Sequence, residues 1–531
     1  MSQDFETTDW SQVDRWSVSD PMNPYFIESN SGVVWSGQAT SRADDVMNAD
    51  VARTGFGVNG AGIKIGVISD SYNVLAGESD GIASGDLPGI GNPFGFQAPV
   101  DVLKDDTVGT DEGRAMVELI HDLAPGAEVL FHSAFNNRNA PGLAPSTTIA
   151  DAIDALRIAG ADIIVDDVGI LTAAKYQDGA AAQAVDRAFA AGIPYFSSAG
   201  NNADNAYEAI HQSSAPATGF NDLHNFNPAG DFDQVLDLGI LPPGAQFTAT
   251  LWWEDAYASL GGAATTDMSL LFVAQNLAEN VDAVVEADQD QLAGADAFEF
   301  GGIVNPFPFP LAVGIAVDRV AGEEAKLLSI EVLGQEIVDD NDTDSPTIHG
   351  HNAAKGAVAV AAQFFGDPGL EDVEPFSAVG PTTILFDEAG DLLPEPEFRA
   401  TPQITGIDGT DTTFFPATPG ADIDANGFPN FFGTSAAAPH VAAVAALVLE
   451  LADKQGVDFT PTELYELLFA STVDIETPGF DNLSGFGRLD ASLALAQVPE
   501  PGSALLLVSA AAWAVAVGRR RRVRPGPHRV T

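Results

Sequence analysis

A run of small residues, Gly433-Thr434-Ser435-Ala436-Ala437-Ala438-Pro439-His440, opens a long apolar stretch and sets a serine at the start of what reads as a helix. There the helix dipole favours negative charge developing nearby, so a serine hydroxyl can attack a carbonyl. Pro439 falls in the first turn, where its missing N–H costs no hydrogen bond. Serine is also an ordinary helix N-cap, so this segment alone leaves Ser435 as nucleophile or cap. The chain has no cysteine, which removes disulfides, thiolate metal sites and cysteine catalysis. Two acidic loops, Asp340-Asn341-Asp342-Thr343-Asp344 and Asp422-Ile423-Asp424-Ala425-Asn426-Gly427, carry oxygen ligands at alternate positions and read as solvated loops or Ca2+ sites. The second lacks the glutamate an EF-hand loop needs at its twelfth position, where Gly433 stands.

The elements that must position this chemistry fall into two patterns. From about Gly60 to Ala217, apolar strand runs such as GIKIGVISD, AEVLFHSA, ADIIVDDVG and IPYFSSAGN alternate with helical stretches such as AMVELIHDLA, TTIADAIDALRIAG and AAAQAVDRAFAAG. Alternating strands and helices predict a parallel sheet covered on both faces. From about Thr218 to Ser345 short strands take over. In GAQFTATLWWED, Phe247, Ala249, Leu251 and Trp253 face one way and Thr248, Thr250 and Trp252 the other. This predicts an inserted β-sandwich. The α/β pattern resumes near His349 with GAVAVAAQF.

With 531 residues, about two to four domains are expected. Hydrophobic residues at 45% and charged ones at 18% predict a folded chain. Asp and Glu number 76 against 22 Lys and Arg, a formal net charge of -54. Such a surface repels phosphates, so no nucleic acid partner is expected; the charge suits solubility in a salty or cation-rich exterior.

GTSAAAPHVAAVAAL resembles the nucleophile segment of the subtilisin-like peptidases, a family within the subtilisin and sedolisin superfamily. SSAGNN at Ser197–Asn202 is similar to their oxyanion loop, with Asn201 in the donor position. GVISDSYN resembles their first strand with its catalytic aspartate, here Asp70. FSAVGP at Phe376–Pro381 and GFGRLDA at Gly485–Ala491 are further landmarks, all in family order. The resemblance implies an α/β fold, a subtilisin-like doubly wound parallel sheet, interrupted here by the sandwich. It implies serine endopeptidase activity on protein or peptide substrates, with no required cofactor.

The histidine is missing from its expected place. Subtilisins carry it in an HGTH segment opening a helix. The Ala-Pro-Gly-Ala element at 124–127 aligns that place with Glu112. Sedolisins use a glutamate there, so Glu112 resembles their general base. They also carry an aspartate one turn later, where this chain has Met116, and an aspartate in the oxyanion loop, where it has Asn201. His121 lies nine residues after Glu112, on the opposite helix face, and reads as structural, as do His132 and His440. The implied roles are Ser435 as nucleophile, Glu112 as base, Asp70 as its orienter and Asn201 as oxyanion donor. Asp166 and Asp167 precede Gly169 in the segment that lines the substrate pocket of subtilisins. Strand alternation lets one of the pair face the cleft, and Asp167 with Gly169 is assigned to substrate binding or to the carboxylate network. A carboxylate base, with an ordinary pKa near 4.3, predicts an optimum below neutral pH. The competing reading is a catalytically inactive subtilisin-fold binding or scaffold protein.

Pro499-Glu500-Pro501, an apolar run from Ala504 to Val517 and Arg519–Arg522 resemble a PEP-CTERM sorting tail, implying exosortase-type sorting machinery as partner and transient anchoring at a bacterial cell surface. The polar N-terminal MSQDFETTDWSQVDRW carries no secretory-signal pattern, which a start site called too late would explain. The expected partition is an arm over 1–52, a peptidase domain over 53–217 and 346–497, the sandwich over 218–345, and the tail over 498–531.

Overall fold

The structure, a computed structural model, describes residues 37–135, 146–214, 219–230, 232–276, 281–323 and 326–500. The apolar run of the tail and its arginines lie outside these residues. The first strand, β1 (Lys64–Ser69), is buried along nearly its whole length. It pairs in parallel with β3 (Glu128–Ser133) and β4 (Ile163–Asp166), and β3 pairs in turn with β2 (Asp101–Lys104). Beyond β4 the sheet continues through β5 (Tyr195–Ser198). The chain then leaves it for eight strands: β6 (Ala206–Ile210), β7 (Leu236–Leu241), β8 (Gln246–Trp253), β9 (Thr266–Asn276), β10 (Val281–Ala287), β11 (Phe298–Val304), β12 (Leu311–Gly322) and β13 (Leu327–Leu333). It returns with β14 (Ala357–Phe364), which pairs in parallel with β5. A hairpin, β15 (Thr382–Phe386) and β16 (Leu392–Arg399), precedes β17 (Ile404–Asp408). Two short pairs follow, β18 (Thr410–Asp411) with β19 (Asn430–Phe431), and β20 (Thr472–Val473) with β21 (Arg488–Leu489). The main sheet runs β2-β3-β1-β4-β5-β14-β17-β21-β20. The order reverses at β1, whose neighbours are β3 and β4, and a crevice at the carboxyl ends of the strands forms where such a reversal occurs.

Helices cover both faces. In chain order they are α1 (Ala43–Val46), α2 (Ala49–Phe56), α3 (Glu78–Ser84), α4 (Glu112–Leu123), α5 (Ser146–Ala159), α6 (Ala180–Ala190), α7 (Thr434–Gln455), α8 (Pro461–Phe469) and α9 (Ala491–Gln497). One core joins α4 and α7 to Ile65, Val67, Ile163 and Val165 of the sheet. A second core places α5 and α6 against Ile68 and Ile164, on the opposite face. Among the described residues α7 is long and apolar enough to cross a membrane, but 94% of its apolar window is buried inside the domain. It is a core helix, apolar on every side because every side is packed. At its end Gly456 closes the helix in the left-handed conformation.

The eight intervening strands form two four-stranded antiparallel sheets, β10-β9-β12-β7 and β11-β8-β13-β6. Leu238, Leu270, Phe272 and Ile315 of one sheet meet Phe247, Leu251, Ile330 and Val332 of the other, as in a β-sandwich. The partition differs from the expected one at two edges. Strand β6 belongs to a sandwich sheet, so the insertion begins near 206, before the expected 218. Within the expected arm, Ala43, Met47, Ala49 and Ala52 are fully buried in the peptidase core. Small apolar residues spaced by helical turns give that acidic segment one face that packs, and α1 and α2 form there.

Several buried carboxyls accompany this packing. Glu118 of α4 accepts the Thr413 amide at 2.7 Å and its hydroxyl at 2.6 Å, yet burial raises its pKa to about 7, with Asp86 adding to the shift. Burial also pushes Asp122 well up, and Asp411 is raised to about 6. A carboxyl with a raised folded value keeps its proton in the native state where the unfolded chain has lost it. Its stabilising effect is therefore complete below the ordinary value of 4.5 and is lost as pH rises through about 7. The thermal midpoint is expected to fall between pH 5 and pH 8, with Glu118 contributing roughly 3 kcal/mol of the change. Calorimetry on the wild type and Glu118→Gln checks this, the variant showing the shallower pH slope.

Candidate active site

Three strand ends and two helix starts meet at the carboxyl edge of the main sheet. Strand β1 ends at Ser69 and delivers Asp70. Strand β4 ends at Asp166 and delivers Asp167. Strand β5 runs into Gly200-Asn201. Glu112 is the first residue of α4, and Ser435 sits in the first turn of α7. Both helices pack on the same face of the sheet, in one core. Glu112 and Ser435 therefore share a face and an edge, as proton transfer between them requires. The Ser435 hydroxyl makes no hydrogen bond to another described residue; catalytic hydrogen bonds often tighten only when substrate is bound.

The nucleophile turn is held from two sides. Asn201 Oδ1 accepts both the Thr434 amide and the Thr434 hydroxyl, each at 2.9 Å. The Gly200 amide donates to Thr434 Oγ1 at 3.1 Å. With its carbonyl oxygen occupied, Asn201 keeps its Nδ2 for the exposed cleft. From beneath, the Gly433 amide donates to Asp408 Oδ2 at 2.8 Å. Asp408 is buried and pushed well up in pKa by that burial and by Glu374 beside it. Gly433 has φ +113, and a Cβ there would stand 3.0 Å from Asn201 Nδ2.

Asp70 is saturated with donors. Its Oδ2 takes the Thr110 amide at 2.6 Å and the Thr110 hydroxyl at 2.7 Å, and its Oδ1 takes the Glu112 amide at 3.0 Å and the Ser71 amide. It holds the start of α4 through the main chain. Its oxygens are committed to backbone and hydroxyl donors. The carboxyl beside Glu112 is Asp167. Burial, then the charges of Glu112 and Asp70, push the Asp167 pKa well up, although Ser69 Oγ donates to its Oδ2 at 2.9 Å. Gly169 lies two residues on, exposed, with nothing near its Cα side.

The pair 166 and 167 divides as strand alternation requires. Asp166 turns inward and accepts Ser197 Oγ at 3.0 Å and meets His351 Nε2 at 3.1 Å, all three fully buried. The sequence reading gave no role to His351. The histidines it did weigh are structural. His121 is packed against Phe96, and burial lowers its pKa to about 4. His132 bonds the Ser133 carbonyl, and His440 bridges the Ile407 carbonyl and Ser41 Oγ. Asp111, unassigned before, precedes α4 in a left-handed conformation, accepts the Val74 and Leu75 amides and pairs with Arg114 at 3.0 Å.

Among the described residues no group of three or more His, Cys, Asp or Glu side chains is arranged to hold a metal ion. The acidic loop at 422–427 spends its carboxylates internally: Asp422 takes the Asn426 and Gly427 amides, and Asp424 takes the Asn426 side chain.

Residues 328–487 match the model of the subtilase family, and residues 497–522 match the PEP-CTERM protein-sorting motif. No curated protein matches the sequence. Solved structures similar to the chain include a lanthipeptide protease, at 15% identity and a TM-score of 0.41, covering 87% of this chain and 99% of that one. The serine protease MycP1 of a type VII secretion system is similar at 14% identity and a TM-score of 0.38, covering 86% and 88%. The subtilase match contains Ser435 and supports serine endopeptidase activity, and the sorting-motif match follows it toward the C-terminus. Asp70, Glu112, Asp167 and Asn201 lie outside the matched residues.

Gly433→Ala is expected to cost roughly 1–3 kcal/mol through the forced left-handed backbone. It should also lower kcat by pressing on Asn201. Urea denaturation and steady-state kinetics measure the two effects.

Proposed function

We propose that this endopeptidase cleaves peptide bonds through a Ser435 acyl-enzyme with a glutamate, in the manner of sedolisins, as its base. Glu112 accepts the Ser435 proton as the hydroxyl attacks the carbonyl, then returns it to the leaving amine. Asn201 Nδ2 donates to the oxyanion, a contact worth about 3–4 kcal/mol in such sites. Asp70 anchors the α4 start that carries Glu112. The observation that carries the reading is the meeting of Glu112, Asp167 and Asp70 at one sheet edge, on the face where α7 begins.

Two close carboxyls resist ionising together, so a charged Glu112 favours the neutral form of Asp167. Burial acts on Asp167 in the same direction, and the proposed base is Glu112. Asp167 also stands at the cleft wall with Gly169, where a basic substrate group would meet it. The proposed chemistry uses side chains alone. The sorting motif supports export and recognition by exosortase-type machinery at a bacterial surface.

Labelling with a peptidyl phosphonate between pH 4 and 7 tests the reading. Ser435→Ala should abolish labelling, and Glu112→Gln should slow acylation by about 10²–10⁴-fold. The optimum should lie below neutral. Asp167→Asn, which imitates the protonated partner, should retain activity and lose the alkaline limb of the profile. Absence of labelling at every pH would favour the inactive scaffold, and an optimum near pH 9 would dismiss Glu112 as base.

A further inference from the structure

The sandwich meets the peptidase domain behind the oxyanion loop. In β8 and β13 the residues Leu251, Leu328, Ile330 and Val332 enter the sandwich core. Thr250, Trp252, Ser329 and Glu331 alternate with them and face the other way. Thr250 Oγ1 donates to the Leu171 carbonyl at 3.1 Å, and Trp252 Nε1 donates to the Ala173 carbonyl at 2.8 Å. These bonds hold the segment that leaves the cleft wall at Asp167–Gly169.

The same face grips the loop between β5 and β6. Glu331 is 4% exposed, in register with Ala206 and Thr250. Its Oε1 accepts Asn202 Nδ2 at 2.9 Å. One residue on, the Val332 carbonyl takes Asn205 Nδ2 at 2.7 Å, the Gln335 carbonyl takes it at 2.9 Å, and the Ile337 amide donates to Asn205 Oδ1 at 2.9 Å. The loop carrying Asn201 is thus bracketed between Thr434 of the nucleophile helix and the sandwich. Glu331 Oε2 makes no hydrogen bond, and His349 Nδ1, 3.6 Å away, is bonded to the Thr347 carbonyl. A buried carboxylate with one side-chain donor binds that donor tightly, since losing it leaves the carboxylate unsatisfied.

We propose that Glu331 is a positioning residue of the oxyanion site: it fixes Asn202, and so aims Asn201 Nδ2, which makes the inserted sandwich a working part of catalysis. The proposal rests on the reading of Asn201 as the oxyanion donor. Glu331→Ala and Asn202→Ala should each lower kcat by about 10–100-fold with KM within about threefold, approaching the loss from removing the donor itself. Glu331→Gln keeps an acceptor for Asn202 and should restore kcat to within about threefold of wild type. Rates are divided by the concentration of phosphonate-reactive sites, so unfolded protein does not count. In an Asn201→Ala background, Glu331→Ala and Asn202→Ala should add less than about twofold, because the group they aim is gone. Full additivity in that background would overturn the proposal while leaving Asn201 in place. An Asn201→Ala variant with unchanged kcat would instead overturn the donor reading, and this proposal with it.

Discussion

Two hydrogen bonds from Thr434 to one oxygen of Asn201 hold the catalytic region together. They join the end of β5 to the start of α7, elements more than two hundred residues apart in the chain. They also decide which end of the asparagine amide faces the cleft, because the carbonyl is used and the amino group is left. The close approach leaves no space for a side chain at Gly433, and the turn there takes a backbone conformation that glycine enters without penalty. This pair of bonds holds the nucleophile turn and leaves the Asn201 amino group free, while the sandwich holds the neighbouring Asn202 from the other side.

The charge arrangement follows from the same geometry. Placing three carboxyls at one sheet edge would be costly if all were ionised in water-poor surroundings. The cost is relieved in two ways. Asp70 is surrounded by amide and hydroxyl donors, which satisfy a carboxylate. Asp167 is pushed by burial and by its neighbours toward its neutral form. Glu112 is the first residue of α4, where the dipole favours negative charge. In the proposed mechanism the glutamate at 112, standing where subtilisins carry a histidine, makes its neighbouring acids part of the chemistry.

Much of this was legible in the sequence where the pattern is local. The strand–helix alternation gave the parallel sheet, because buried parallel strands read as apolar runs. Ser435, Asp70 and Asn201 stood in recognisable segments at strand ends and a helix start. Alternation within GAQFTATLWWED separated Leu251 from Thr250 and Trp252, as the packing does. Contacts between distant segments were not legible. Nothing near Glu331 in the chain names Asn202 as its partner, and Asp166 gives no hint of His351. A carboxylate in the middle of the buried strand LLSIEVL was the available signal, because such a residue needs a partner. The packing of Met47 was hidden by the acidic composition around it.

The two ends of the peptidase domain touch. The Ala491 amide donates to the Met47 carbonyl at 2.8 Å, and Asn48 Nδ2 donates to Asp490 Oδ2 at 2.6 Å. The segment matching the sorting motif begins at residue 497, where α9 ends. Tension applied from the C-terminal side of the domain would enter at α9, which packs on α2, α7 and α8. The seam ties the pulled end to the start of the domain, and β21, just before α9, ties it to the main sheet.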